Sequence, residues 1–220
     1  MIELLTVIAI ISVLMTVGAI GIGSLLGGKG VTSAVASAES VFDEARSTAV
    51  SQRTKARVLI DATNPRNPNY LRRMLVAFEE LDEQGNPKSG QWTISNRGVV
   101  LPDQVYFSKA YSKKSLTSGG EMDKMTLSNV GRDFVGEYYY YEFNEEGICR
   151  PDTNASIGSE KPGNATFVVG TGIREANAEN PRVTASTKRD FGGFVIWRNG
   201  RTSVFRNPSQ INIPDSVTEF

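Results

Sequence analysis

The stretch Met1-Ile2-Glu3-Leu4-Leu5-Thr6-Val7-Ile8-Ala9-Ile10-Ile11-Ser12-Val13-Leu14-Met15 decides how the rest of the chain is read. One carboxylate, Glu3, opens an otherwise apolar run that continues through Thr16-Val17-Gly18-Ala19-Ile20-Gly21-Ile22-Gly23-Ser24-Leu25-Leu26. No charged residue occurs from Leu4 to Leu26. As a helix this run would extend roughly 35 Å, against a bilayer hydrocarbon core of about 30 Å, so it is long enough to span. Thr6, Ser12 and Thr16 can bond back to their own helix carbonyls. A carboxylate at the edge of a bilayer is costly unless paired, which makes Glu3 a candidate functional residue; the plain alternative is a carboxylate solvated among the headgroups.

The run Ile2-Glu3-Leu4-Leu5-Thr6-Val7-Ile8-Ala9-Ile10-Ile11 resembles the N-terminal signature of type IV pilins and type II secretion pseudopilins. The resemblance implies a subunit made with a leader that a prepilin peptidase removes, and methylated at its new N-terminus. Glu3 matches the family's glutamate, whose role would be to pair with the N-terminal amine of a neighbouring subunit during assembly. Leu4, Leu5, Val7, Ile8, Ile11 and Leu14 would be the transmembrane packing residues. The family carries two further residues and a basic leader before the position of Met1, so the resemblance places the true start upstream. The nearest cation, Lys29, lies beyond the apolar run, and a positive-inside count without a leader points the wrong way.

Gly18, Gly21 and Gly23 fall in the second half of the run, where glycine loosens a helix or lets another helix pack closely. The resemblance adds partial unwinding of the helix in assembled filaments. Gly23, Gly28 and Lys29 approach a phosphate-loop spacing, but Gly30 stands where Ser or Thr is required. From Val31 the pattern turns amphipathic: Val31, Val35, Ala38, Phe42, Ala45 and Ala49 form one narrow helical stripe, with Glu39, Asp43, Arg46 and Ser47 off it. Such a stripe is a packing face, here expected against a sheet. The two halves make one helix of about 50 residues, bent at the glycines. The rival reading of the first stretch is a cleavable secretory signal, with Ala34-Val35-Ala36 or Ala36-Ser37-Ala38 as cleavage sites. The run is longer than an h-region of about 7–15 residues and opens with an acid.

Phe42 to Gln52, with its Ala45-Arg46-Ser47 and Ala49-Val50, resembles the H-type minor pseudopilins and related minor pilins. Beyond it the chain reads as strands. Lys55 to Asp61 alternates, with Ala56, Val58 and Ile60 on one side. Tyr70 to Leu81 is a second strand, turned by Gln84-Gly85-Asn86-Pro87 and answered by Trp92-Thr93-Ile94. Val99-Val100-Leu101-Pro102, with Val105 and Phe107, resembles a segment of the same minor pseudopilin heads. Ser108 to Arg132 is polar and reads as an insertion or mobile loop. Glu137 to Phe143 is a strand with aromatics on both faces, and Phe143 to Gly147 resembles a family turn. Pro151 to Gly163 is a second loop, and Ala165 to Gly170 another strand. Asn199-Gly200 between Phe194–Arg198 and Arg201–Phe205 is a strong hairpin signal. A two-residue turn there would set Arg198 opposite Arg201 and Phe194 opposite Phe205.

The totals narrow the function. The chain has 220 residues, with 24 basic and 24 acidic side chains, so bulk charge does not favour nucleic acid. It has no histidine, the commonest general base and zinc ligand. Cys149 is the single cysteine, a small core or strand residue or, alternatively, an intermolecular partner. Glu79, Glu80, Asp82 and Glu83 read as a solvated hairpin tip, without the spacing of a calcium loop. The sequons at Asn154 and Asn164 are short patterns of low specificity.

The sequence therefore predicts an α+β, pilin-like fold in three parts. These are a transmembrane and polymerisation helix over 1–28, the amphipathic second half of that helix over 29–54, and an antiparallel β-rich head of two small sheets over 55–220. The resemblance implies a structural, minor subunit of a type IV pilus-like or type II secretion pseudopilus filament, not an enzyme and with no cofactor. It would sit in a bacterial inner membrane by a single pass, its head in the periplasm or on the extracellular filament. Its partners would be other pilin subunits, the inner-membrane assembly platform, the prepilin peptidase and the lipid bilayer. A membrane-anchored periplasmic or surface binding module that never polymerises is the alternative, and an anchored enzyme a third reading.

Overall fold

The computed structural model describes residues 30–116, 119–149, 164–175, 178–183, 190–205, 207–214, 217 and 220. Helix α1 covers 30–52. Among the described residues ten strands follow: β1 Ala56–Asp61, β2 Arg73–Leu81, β3 Pro87–Ile94, β4 Val99–Val100, β5 Val105–Phe107, β6 Lys124–Leu127, β7 Gly136–Phe143, β8 Ala165–Thr171, β9 Phe191–Ile196 and β10 Thr202–Val204. They form two sheets in which every pairing is antiparallel. The first runs β3-β2-β1-β7-β6 with β4 also on β2, and the second runs β10-β9-β8-β5. The protein is thus α+β, an N-terminal helix packed on two antiparallel sheets.

Strand alternation builds the core. Ala56, Val58 and Ile60 of β1, Tyr139, Tyr141 and Phe143 of β7, Phe167 and Val169 of β8, and Phe194 and Ile196 of β9 share one buried cluster with α1. Their neighbours along the strands face outward, yet they are not solvated. Leu59, Leu75, Ala77, Trp92, Leu127, Tyr138 and Tyr140 form a second cluster over the outer face of the first sheet, with Val130 and Phe134 against it. A third cluster covers the outer face of the second sheet: Val168, Phe191, Val195 and Phe205 meet Ile211, Ile213, Val217 and Phe220.

The outer face of the first sheet also holds charge. The Arg57 guanidinium lies 4.3 Å from the Trp92 ring centre and 4.1 Å from that of Tyr140. Its nitrogens donate to Glu142 Oε2 at 2.8 and 2.6 Å. Arg73 pairs with the buried Asp61 at 3.2 Å. Pairing and stacking of this kind are what permit ionised groups under an apolar cover.

The structure corrects three expectations. The second strand begins at Arg73, not Tyr70. Residues 64–72 are turns, in which Asn67 Oδ1 accepts from the Asn69 amide and Leu71 adopts φ 56°. Asn side chains that bond their own backbone favour turns over strands. Ser108 to Arg132 is not a free loop. Its residues Lys124–Leu127 are β6, paired with β7. Its first part is stitched to β8, with the Ser108 amide donating to the Val168 carbonyl and the Lys113 amide to Thr166 Oγ1. Its polar composition suits an edge strand, where one edge faces water.

The last hairpin has a different register. Val204 lies opposite Phe194, Ser203 opposite Val195 and Thr202 opposite Ile196. The Gly200 amide donates to the Trp197 carbonyl, the Trp197 amide donates to the Arg201 carbonyl, and Gly200 has φ 75°. This is a three-residue turn closed by a glycine bulge, the other common hairpin solution. One residue of slip reverses facing. Phe194 therefore enters the helix-side cluster and Phe205 the outer one, and Arg198 sits in the turn instead of opposite Arg201.

Candidate assembly helix and its seat on the head

The structure describes α1 from residue 30. Glu3, the apolar residues Leu4, Leu5, Val7, Ile8, Ile11 and Leu14, and Gly18, Gly21 and Gly23 lie outside the described residues. Among the described residues no helix is long and apolar enough to cross a membrane.

Within α1, Val31, Val35, Ala38, Phe42, Ala45 and Ala49 are all buried. Ala34 and Val41 are buried beside them. Each immediately precedes a stripe residue, so together they widen the contact to the apolar arc of a helix lying on a sheet. Phe42 is the centre of the seat. Its ring lies 5.0 Å from Tyr141, 6.2 Å from Phe143, 5.4 Å from Phe167 and 5.0 Å from Phe194, centre to centre and edge-on to each. One helix residue thus joins strands of both sheets, since Tyr141 and Phe143 belong to one and Phe167 and Phe194 to the other. Near the start of α1 the approach is close because β9 lacks a side chain there. A Cβ on Gly192 would stand 2.6 Å from Val31 Cγ1 and 3.0 Å from Val35 Cγ2.

Polar contacts fasten the flanks, and the stripe alone gave no sign of them. Glu39 Oε1 accepts from Thr202 Oγ1 at 3.0 Å. Glu44 Oε1 accepts from Ser95 Oγ at 3.0 Å and from Asn96 Nδ2 at 2.6 Å, tying the helix to the β3–β4 connection. Arg46 passes between two turns. A Cβ on Gly147 would lie 3.2 Å from its Cγ, and one on Gly200 would lie 2.8 Å from its Cδ. Of the residues read off the stripe, Asp43 and Ser47 are exposed, whereas Glu39 and Arg46 are half-buried by the head. The opposite face carries Thr32, Ser33, Ala36, Ser40, Asp43, Ser47 and Val50, all exposed and mostly small.

The small-residue pairs that resemble cleavage sites fall inside this helix. Ala34, Val35 and Ala38 are in its buried face, so a cut there would remove Val31 and Ala34 from the core.

Several of the ionisable groups described in the head are shifted by burial or by turn hydrogen bonds. Cys149 is free and buried, and burial, with Glu142 nearby, pushes its thiol up to about 12. A thiol held protonated is a poor nucleophile. Burial likewise raises the phenols of Tyr70, Tyr138 and Tyr139, and Tyr141, whose hydroxyl donates to the Thr166 carbonyl at 2.7 Å, is raised furthest. Of the acids expected at a solvated β2–β3 tip, Glu79 is instead buried within β2, and Asp82 is bonded within the turn. Asp82 Oδ1 accepts from the amides of Gln84 and Asn86, which holds its carboxyl below the usual carboxylate value, and Glu80 Oε1 accepts from Thr93 Oγ1. Among the described residues no group of three or more His, Cys, Asp or Glu is placed to hold a metal ion.

The architecture defines a class: one helix seated by one face across two antiparallel sheets. No family model matches the chain, and no curated protein matches it. Two solved structures are similar to it, both crystal structures of the type IV minor pilin FimU of Pseudomonas aeruginosa strain PAO1. The form in space group P21 has 14% identity and a TM-score of 0.42, covering 84% of this chain and 93% of that one. The form in P65 has 15% identity and a TM-score of 0.35, covering 84% and 98%. Overlaps of that size do not fix a function.

Proposed function

We propose that this chain is a structural, minor subunit of a type IV pilus-like or type II secretion pseudopilus filament. The observation that carries the reading is the run Ile2–Ile11, one acid opening a stretch without charge as far as Leu26, ahead of a helix described from residue 30 that the head grips along one side. On this reading the apolar half holds the subunit in the inner membrane by a single pass, with the head in the periplasm. The same surface then packs against other subunits when an assembly platform draws the chain into a filament. Val31, Val35, Ala38, Phe42, Ala45 and Ala49 hold head and helix together, so that force on one moves the other.

Exchanging lipid contacts for protein contacts gains little hydrophobic free energy, because both surroundings are apolar. Selectivity and register therefore fall to Glu3, pairing with an amine of the neighbouring subunit, and to the packing of Leu4, Leu5, Val7, Ile8, Ile11 and Leu14. Gly18, Gly21 and Gly23 allow the helix to bend between its two halves. Glu3→Ala and Glu3→Lys are expected to reach the membrane fraction as the unaltered chain does, and to be lost from sheared filaments in a pull-down. Normal incorporation of either variant would remove the role given to Glu3.

A further inference from the structure

The Arg57 guanidinium is closed in on the outer face of the first sheet. The Trp92 and Tyr140 rings reach it from strands on either side of β1. Its nitrogens Nε and Nη2 both donate to Glu142 Oε2. The third nitrogen, Nη1, donates to Met125 Sδ at 3.2 Å. A thioether is a weak acceptor, whereas an ionised donor bonds most strongly to oxygen. One corner of a largely buried cation thus faces the poorest acceptor in the cluster.

Met125 lies on β6, the outermost strand of the first sheet, and is half-buried against the outer apolar cluster. The other described methionines, Met74 and Met122, are buried in the helix-side core, at 0% and 6% exposure. A small polar oxidant therefore meets the Met125 sulfur first. Methionine is unbranched, with three rotatable bonds, so an oxygen added to that sulfur can turn toward Nη1.

We propose that Met125 is a site of reversible oxidation, and that Arg57 holds its sulfoxide so that β6 is fastened more tightly in the oxidised chain. The oxidant is a peroxide. The sulfur attacks one peroxide oxygen, an S–O bond forms and the O–O bond breaks. The departing oxygen takes up a proton from the new S–OH group and leaves as water. Sulfur gives up two electrons and the peroxide accepts them. The sulfoxide oxygen then accepts the Nη1 hydrogen in place of the thioether. A sulfoxide in an apolar cluster ordinarily loosens packing until a reductase restores the thioether. Here the guanidinium reverses the sign of that effect, on the strand where the sheet has its edge. The site stands whether or not the chain polymerises.

The test treats the full-length chain in detergent with hydrogen peroxide and follows each methionine by peptide mass mapping. Met125 is expected to oxidise about tenfold faster than Met74 and Met122, because susceptibility follows exposure. Equal rates overturn the site. Amide hydrogen exchange across Lys124–Leu127 reads the role of Arg57. Oxidation is expected to slow it roughly tenfold, the weight of one hydrogen bond from a charged donor. Unchanged or faster exchange overturns that role. Met125→Leu removes the sulfur, and any response of its β6 exchange to peroxide counts against the site. Met125→Gln offers an amide oxygen to Nη1 and is expected to exchange more slowly than Met125→Leu without oxidant; equal exchange overturns the role of Arg57 as well. In Arg57→Leu/Glu142→Leu, where cation and counter-ion leave together, peroxide should speed exchange, and slowing there overturns the assignment. Should that double variant fail to fold, the comparison of Met125→Gln with Met125→Leu decides.

Discussion

Removing the Phe42 ring tests whether the head is held on its helix by one aromatic centre. Phe42→Ala empties a site that is 1% exposed and that meets Tyr141, Phe143, Phe167 and Phe194 at once. Truncating a buried phenylalanine costs about 3–5 kcal/mol, the upper part where the walls cannot collapse. Collapse is restrained here because the four rings sit on three strands of two separate sheets. Four edge-on contacts also vanish, each worth about 0.5–1.5 kcal/mol beyond area, although these overlap with the truncation cost and do not add to it. At roughly 2–4 °C per kcal/mol for a chain of this size, the melting temperature should fall by about 6–20 °C. The assay is urea unfolding followed by tryptophan fluorescence, with thermal melts alongside. Val50→Ala on the same helix is the control, since Val50 is 49% exposed and its truncation should stay within about 0.5 kcal/mol. If Phe42→Ala unfolds alongside Val50→Ala, the seat is not organised around this ring and the reasoning fails.

Three further outcomes follow from other parts of the head. Gly200→Ala should lower stability by more than about 1 kcal/mol, because φ is 75° there and a Cβ would meet the Gly147 carbonyl oxygen at 2.3 Å; Arg201→Ala, at an exposed position of the same hairpin, should be nearly silent in the same melt. Glu142→Ala should cost about 3 kcal/mol by leaving the Arg57 guanidinium unpaired over Trp92 and Tyr140, while the double variant Arg57→Met/Glu142→Leu should lose much less than the sum of its singles in a double-mutant cycle. Cys149 should resist thiol reagents at pH 8 until urea unfolds the chain. Burial holds its thiol up at about 12, above the ordinary thiol value of 9.0, so between these the unfolded chain releases a proton that the folded chain keeps. Stability must then fall as pH rises through that window, at up to about 1.4 kcal/mol per pH unit from this group. Cys149→Ala should reduce the slope, leaving the raised tyrosines to supply the rest.

What the sequence disclosed and what it hid divide along a physical line. Periodicity is a local property, and it sufficed for α1, β1 and β7, whose alternation is written in adjacent residues. Glu137 to Phe143 could be seen to carry aromatics on both faces, and β7 does lie between two apolar clusters. The residues missed owe their places to the partner surface. Lys124–Leu127 is an edge strand only because β7 offers a free edge, and a stretch holding Lys124 and Thr126 looks like loop when that edge is not known. The same holds for Glu39, Glu44 and Arg46: off a helical stripe they look solvated, and what draws them in is a threonine, a loop and two glycine turns brought from far along the chain. The last hairpin is the sharpest case. Asn199-Gly200 fits a two-residue turn and a three-residue turn with a glycine bulge equally well by composition. The choice is made by the faces. A two-residue turn would put Phe194 and Phe205 on one side, leaving one sheet face short of a ring, whereas the observed slip gives one ring to the helix side and the other to the outer cluster. A sheet buried on only one side would not have required that division, so the bulge at Gly200 follows from the apolar cover on the outer face as much as from the turn residues themselves.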